Sequence, residues 1–397
     1  MEGEGDSEGY VEQLHREMAY LRERNEDGML REAGIGIKSV VITSGGTAAG
    51  AQEVGAASDA SGADVDAGAE QAETMGRGMF ALRDFKAGDV ILEESPLAIA
   101  PRDCVVAQML HCSQCLRKLA ASTAAVACPH CRLDPYCSDR CAAEAWESHH
   151  RLLCEAAQAD PETTGQALRD FNALCREQAR AYPLLIARLI AQLSTDVAKL
   201  GADVSLEEAL DRPNGLFSHL RHFCSADIEP QGFPPEFSML DYIFGQTNLA
   251  SHILSTCAAT ICFLDPRCVL VDEHFCFWLF TILMRNTFGL WIVEEGEAEG
   301  VYTDRREDGV ALFLHASYFN HSCTPNVDRC NRHGDKRVAF IACADIKKGE
   351  QLFIEYVDTR AMVDERRQEL AQRYGFLCSC PKCSVEATAE GTTTTTQ

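Results

Sequence analysis

The sequence predicts an α+β protein with a β-rich core, two insertions and a metal-held C-terminal segment. Three observations predict it. Short apolar runs that read as strands occur both before residue 95 and after residue 310. Between them stand a cysteine-dense block at 112–154 and a mainly helical stretch at 165–256. Near the end, Asn320-His321-Ser322-Cys323 is followed by Cys378-x-Cys380-x-x-Cys383, three clustered thiols that lack one ligand of a closed tetrahedral zinc site.

Residues 10–32 carry a helical pattern in Val11, Leu14, Met18 and Leu21, short and charged enough to form only transiently. Residues 33–74 are rich in Gly, Ala and Ser and read as disordered, which makes 1–74 an acidic disordered extension. Order is expected to begin near Met75. Gly76-Arg77-Gly78-Met79-Phe80-Ala81 and Val90-Ile91-Leu92-Glu93-Glu94 read as strands around a turn at Lys86-Ala87-Gly88-Asp89. Helices are expected from Leu168 to Ile190, with Pro183 as a break or kink, from Phe237 to Cys257, and over 271–288 as a buried helix. Strands return at 311–314, 337–342 and 351–356, a charged helix at 358–374, and an unstructured tail at 386–397.

The 397 residues allow two or three domains. A net charge of −24 opposes polyanions, which argues against direct nucleic-acid binding and favours Lys-rich partners. Residues 1–75 hold 16 acidic and 5 basic side chains, a net of −11. Phe275–Val293 is the most apolar stretch, but Arg285 and Asn286 interrupt it, so it reads as buried and not membrane-spanning. The N-terminal residues carry no secretory h-region. The 20 cysteines therefore point to a reducing compartment and to metal, and the location expected is nucleus, cytoplasm or both.

The cysteine block reads Cys112-x2-Cys115-x12-Cys128-x2-Cys131-x5-Cys137-x3-Cys141-x8-His150-x3-Cys154. Each CxxC puts two thiolates on one tight turn, and Cys137/Cys141 and His150/Cys154 are i,i+4 pairs. Eight ligands make two sites. A cross-braced arrangement places Cys112, Cys115, Cys137 and Cys141 on one zinc and Cys128, Cys131, His150 and Cys154 on the other. His149 is the competing ligand but lies off the helical face, and His130 is a bystander. With Cys323, Cys378, Cys380 and Cys383 the chain is expected to bind three zinc ions. The remaining cysteines, Cys104, Cys175, Cys224, Cys257, Cys262, Cys268, Cys276, Cys330 and Cys343, read as ordinary buried thiols.

The spacing of the block resembles a MYND zinc finger. The segments on either side of it, Gly76-Arg77-Gly78 and Asn320 onward, resemble the parts of a SET domain. A SET domain split by a MYND finger resembles the SET-and-MYND (SMYD) family of protein lysine methyltransferases, over about residues 75–384. The resemblance implies a β-rich SET core with knot-like C-terminal threading, an inserted MYND finger, a helical SET insert and a zinc-bound post-SET segment. The corresponding domains are 75–110 (SET, N-terminal part), 111–155 (MYND), 156–270 (helical insert), 271–360 (SET core) and 361–385 (post-SET clasp).

The resemblance also implies S-adenosylmethionine (SAM) as cofactor and a lysine-bearing protein, such as a histone tail, as substrate. It assigns Tyr356 as the catalytic tyrosine that also meets the cofactor. Gly76, Arg77, His219, Asn286, Asn320, His321 and Phe376 are assigned to the cofactor, and Phe288 and Tyr374 to the lysine channel. The chain is expected to act as a monomer, with the finger as scaffold or as a module for proline-containing peptides. The alternative is an idle adaptor that binds partners through the finger. A RING-type ubiquitin ligase is disfavoured, because the ligand order has His late and Cys last. Many family members carry a helical-repeat domain after the clasp, whereas here about 14 residues follow Cys383, so a more open substrate groove is expected.

Overall fold

The protein is described by a computed structural model for residues 20, 24, 28–43, 73–102, 111–119, 126–177, 181–199, 212, 215–226, 228, 230–245, 271–292 and 307–393. The chain divides into two compact units. The first comprises Met1–Glu93, Tyr318–Cys330 and Ala339–Gln397; the second comprises Glu94–Ser317 and Asn331–Val338. The segment 271–360, expected as one SET core, is therefore shared between them.

In the first unit, strand β1 (Ile35–Thr43) pairs antiparallel with β2 (Glu73–Ala81), from Ile35 opposite Ala81 to Thr43 opposite Glu73. A helix, Gly28–Ala33, leads into β1, and Leu30, Ile35 and Ile37 are buried. This corrects the expected disorder of 1–74 for residues 28–43. The run Ile35-Gly36-Ile37-Lys38-Ser39-Val40-Val41-Ile42-Thr43 is rich in β-branched residues, and its signal was submerged by the Gly/Ala/Ser composition that follows it. The rest of 1–74, apart from Tyr20 and Arg24, and with the exception of 73–74 in β2, lies outside the described residues. Residues Val11, Leu14, Met18 and Leu21 of the expected N-terminal helix are among those outside.

A three-stranded sheet follows in the order β10 (Val327–Cys330), β11 (Val338–Ala342), β3 (Val90–Glu94). The turn before β3 closes as expected, with Asp89 N donating to Lys86 O at 2.9 Å. Strand β9 (Asn320–His321) runs parallel to β12 (Phe353–Ile354). Asn326 fixes this crossing: its Nδ2 donates to Gln351 O at 2.9 Å and its Oδ1 accepts from Phe353 N at 2.8 Å. Helix Val363–Tyr374 ends at Gly375, whose φ of +78° suits glycine and few other residues. The helix Pro381–Thr393 overturns the expected unstructured tail from 386 as far as Thr393. Pro381 suits a first helical position, and Glu386 on the second turn pairs with Arg366 at 2.5 Å.

The second unit is built on a buried sheet, β4 (Ala98–Pro101), β8 (Gly309–Leu312) and β7 (Thr287–Leu290), with β8 central. Helix Ala181–Lys199 carries the apolar face that packs in this unit's core: Leu185, Ile186, Leu189, Ile190 and Leu193 are buried. Each such side chain stabilises the fold by about 1.5–3 kcal/mol. Where one helix from Leu168 to Ile190 was expected there are two, Thr164–Glu177 and Ala181–Lys199. Pro183 sits in the first turn of the second, where its missing N–H costs nothing. The expected 237–257 helix is Pro235–Gly245, beyond which the chain is not described until 271. Helix Glu273–Asn286 begins at Asp272, whose side chain accepts from Phe275 N at 2.8 Å. Among the described residues, no helix is long and apolar enough to cross a membrane.

Candidate active site and zinc centres

Three groups could each hold a metal ion, with ligand atoms in every group within 4.8 Å of one another: Cys112, Cys115, Cys137, Cys141; Cys128, Cys131, His150, Cys154; and Cys323, Cys378, Cys380, Cys383. These are the twelve ligands and the pairing expected. A tetrahedron of thiolates at about 2.3 Å from zinc has edges near 3.8 Å. The observed gaps match: Cys115–Cys137 3.6 Å, Cys137–Cys141 3.5 Å, Cys128–Cys154 3.9 Å and Cys323–Cys378 3.9 Å. The donor set therefore fits zinc on its own chemistry.

Local structure explains the aim of these ligands. Ser138 caps helix Asp139–Ala145 through Cys141 N at 3.2 Å, which brings Cys141 back over Cys137. The turn widens to a π-helix at Trp146–His150 and swings His150 Nε2 to 3.6 Å from Cys131 Sγ. Its other ring nitrogen lies 3.6 Å from Asp134, the kind of outer partner that orients a ligand histidine. His149 points elsewhere, with Nδ1 2.8 Å from Ser148 Oγ, and burial holds its pKa well below the usual histidine range. His130 stacks on Trp146 at 4.8 Å. Of the cysteines left over, Cys175 and Cys276 are buried as expected, but Cys224 and Cys343 are exposed and Cys330 is half-buried. Cys104, Cys257, Cys262 and Cys268 lie outside the described residues.

In the first unit, the C-terminal clasp is surrounded by a polar and aromatic cluster. His321 sits two residues before Cys323, on β9, with Nε2 3.3 Å from the Cys323 sulfur. Tyr356 N donates to His321 Nδ1 at 3.1 Å. A ring that accepts at Nδ1 carries its hydrogen on Nε2, aimed at the sulfur. Burial, then the Arg366 charge, lowers the His321 pKa to about 4, which keeps it neutral. Tyr356 Oη donates to Phe319 O at 2.6 Å, and the Tyr356 ring lies 4.6 Å from Tyr374 and 5.4 Å from His321. Phe376 is 6.2 Å from His321 and 38% exposed. Asn320 Nδ2 donates to Arg77 O at 2.8 Å, beside Gly78, where an added Cβ would meet the side chains of Gln351 and Asn320. Arg77 stands over the Tyr318 ring at 5.4 Å. Gly76, Arg77, Asn320, His321, Tyr356, Tyr374 and Phe376 thus belong to one unit, and hydrogen bonds or ring contacts tie Arg77 to Asn320, His321 to Tyr356 and Phe376, and Tyr356 to Tyr374.

In the second unit, Asn286 closes helix Glu273–Asn286, with Nδ2 donating to Cys224 O at 2.6 Å and to Ile282 O at 2.7 Å. Its amide hydrogens are thus occupied and its side-chain oxygen is the group left to accept. Phe288, on β7, packs edge-on to Phe313 at 5.5 Å. His219 is buried on the short helix Leu216–Arg221.

Sequence reasoning missed several supporting residues. Arg366 is buried, with 1% of its side chain exposed, and donates to Cys383 Sγ at 3.4 Å, although it reads as one more charge on a solvated helix. In the second unit, buried Glu94 accepts from His315 N and Ala316 N, each at 2.9 Å, and faces His315 Nδ1 at 3.2 Å. Arg188 reaches from helix Ala181–Lys199 to Ile99 O at 2.9 Å and Ser113 O at 3.0 Å, tying the finger to β4. Only the charges of Arg188 and Glu94 within apolar runs could have signalled them.

The SET domain family model matches residues 76–357. Histone-lysine N-methyltransferase ASHR2 of Arabidopsis thaliana is 27% identical over 320 residues, which cover 78% of this chain and 70% of that protein. Protein-lysine N-trimethyltransferase SMYD5 of Homo sapiens is 25% identical over 388 residues, 79% of this chain and 84% of that protein. Two other curated relatives are longer, and the chain spans 58 and 60% of their length. A solved structure of the SET domain of LSMT bound to lysine and AdoHcy matches over 76% of this chain and 50% of that chain at 16% identity, with a TM-score of 0.25.

Proposed function

This chain belongs to the SET-domain family, and from that premise we propose that it is a SAM-dependent protein-lysine N-methyltransferase. The observation that carries the reading is the setting of Tyr356. Its phenol hydrogen is donated to Phe319 O, so its lone pairs are what the oxygen offers to a ligand. Its ring is held by Tyr374 and His321, and its backbone N–H by His321. SAM supplies, when bound, a methyl group on a positively charged sulfonium. A neutral, rigid phenol oxygen stabilises positive charge near that methyl without needing to ionise.

The other roles follow the same reading. Asn320, His321, Gly76 and Arg77 hold the cofactor, and Phe376 offers an exposed aromatic face to its adenine. The apolar ring of Tyr374, beside that of Tyr356, lines the lysine channel. A lysine with a free pKa near 10.4 would be desolvated among such rings, shed its proton to solvent and take the methyl as the neutral amine, the S–CH3 bond breaking to leave a neutral thioether. Alignment of amine and methyl supplies much of the rate.

The twelve Cys and His ligands hold three structural zinc ions with no open coordination position, and so do no chemistry. The finger is a scaffold with capacity for proline-containing peptides. Threading of residues 353–357 past 320–323, a monomeric state, and a nuclear or cytosolic address belong to the same proposal. The substrate is a Lys-rich protein segment, histone or other, matched to the −24 charge of the chain.

The test is titration of the protein with SAM by calorimetry, then methylation of an array of histone-tail and other Lys-rich peptides with methyl-labelled SAM. Saturable binding and label on lysine are expected. No binding and no label would leave the chain as an adaptor that acts through its finger.

A further inference from the structure

The N-terminal arm docks at an informative place. Tyr20 and Arg24 are helical and only 6% and 4% exposed. The Arg24 guanidinium lies 5.5 Å from the centre of the Tyr20 ring. The Tyr20 phenol shares a hydrogen bond with Tyr318, and burial followed by the neighbouring Tyr318 pushes the Tyr20 pKa up. Tyr318, itself buried, carries the Arg77 guanidinium 5.4 Å from its ring centre. Arg24, Tyr20, Tyr318 and Arg77 therefore form a row of two adjoining phenols with a guanidinium over each ring. From the other side, β1 pairs along the same segment: Lys38 stands opposite Gly78, Ser39 opposite Arg77 and Val40 opposite Gly76. The arm holds Gly76-Arg77-Gly78 by its backbone through β1, and the Arg77 side chain through Tyr20 and Tyr318. A sheet that runs the whole length of β1 is not the attachment of a loose tail.

We propose that Tyr20 is a positioning residue for the cofactor: through Tyr318 it fixes Arg77, which makes the N-terminal arm a built-in wall of the cofactor-binding segment. The proposal rests on the methyltransferase reading and extends it to residues ahead of the SET family match at 76–357. The physical reason is preorganisation. An arginine side chain has large rotamer freedom, and freezing it at the moment of binding subtracts from affinity. Arg77 stacked on a ring that is itself anchored has already lost that freedom. An unanchored Tyr318 would leave Arg77 to be ordered by each incoming cofactor.

The test is SAM binding by calorimetry on the full chain, for wild type, Tyr20→Phe, Tyr20→Ala and the exposed control Tyr242→Phe. Peptide KM, zinc content and thermal midpoint are measured on the same samples. Tyr20→Ala is expected to weaken SAM binding about tenfold, a change of about 1.4 kcal/mol. Tyr20→Phe, which keeps the ring and loses the shared hydrogen bond, is expected to fall between it and wild type. Peptide KM and zinc content should stay at wild-type level in all variants. Wild-type SAM affinity in both Tyr20 variants overturns the proposal. So does a loss of SAM affinity matched by loss of peptide affinity and zinc, which marks general unfolding; if Tyr20→Ala does not fold, Tyr20→Phe decides alone. A wild-type chain that binds no SAM contradicts the parent reading and this proposal with it, whereas wild-type binding with unaltered variants contradicts this proposal only.

Discussion

Arg366 shows how much of the clasp depends on one side chain. A zinc ion held by four thiolates leaves two net negative charges in a buried place, and the guanidinium of Arg366, itself buried, meets that charge at Cys383 Sγ, 3.4 Å away. The same group pairs with Glu386 at 2.5 Å and donates to Ala361 O. Arg366→Leu removes the cation and leaves the thiolates uncompensated. Unfolding free energy is expected to fall by about 3 kcal/mol, with faster zinc loss to a chelator; denaturation and a colorimetric zinc assay measure both, and unchanged values in the two would contradict the role. His321 is held neutral for a related reason. Its folded pKa of about 4 lies below the unfolded 6.5, so the unfolded state binds the proton first as pH falls. The stability tied to the neutral ring is fully present above pH 6.5 and is lost as pH falls towards 4. An NMR titration should find the His321 ring unprotonated at pH 5.5; a midpoint near 6.5 would contradict the account. His321 and Tyr356 were legible in the sequence because their neighbours, Cys323 and the CxCxxC, mark them. Arg366 was not, because a buried cation on a charged helix looks like a solvated one.

Elements decide how these residues meet. Strand β9 delivers His321 and, two residues on, Cys323, so the polar and aromatic cluster and the four-cysteine group share one short segment. Cys323→Ser is expected to lower zinc from three ions to two and to abolish methyl transfer, because Tyr374 and Phe376 lose the clasp that follows them; retained transfer with two zincs would separate the two jobs. The helix between Tyr356 and the clasp ends at Gly375 with φ +78°, and Gly375→Ala should cost about 1 kcal/mol in a denaturation curve. The zinc-ligand spacing made the clasp and finger readable at this scale, since two residues of spacer in CxxC constrain geometry tightly. Strand β1 and the helix Pro381–Thr393 were not readable: the first is embedded in low-complexity sequence, and the second is secured by Glu386 meeting an arginine 20 residues upstream.

At the scale of the molecule, charge is the lever on partners. A chain of net −24 attracts Lys-rich segments over a distance that salt shortens. The KM for a Lys-rich peptide should rise several-fold between low and high salt, while the KM for a peptide with one lysine and no net charge should hardly move; equal salt dependence would remove the charge argument. The class of the fold was visible in the strand runs at both ends of the chain and in the helical stretch between them. The division into units was not, because 318–330 and 339–397 join the N-terminal residues across more than 200 intervening positions, and chain order conceals such contacts.

The most direct measurement compares wild type and Tyr356→Phe for transfer of labelled methyl from SAM to a lysine peptide, with SAM affinity and zinc content determined on both. The phenol oxygen is the only group removed. Transfer is expected to be at least a hundredfold slower in Tyr356→Phe, with SAM affinity changed by no more than a few fold and three zincs per chain in both proteins. Equal transfer rates in the two proteins would contradict it.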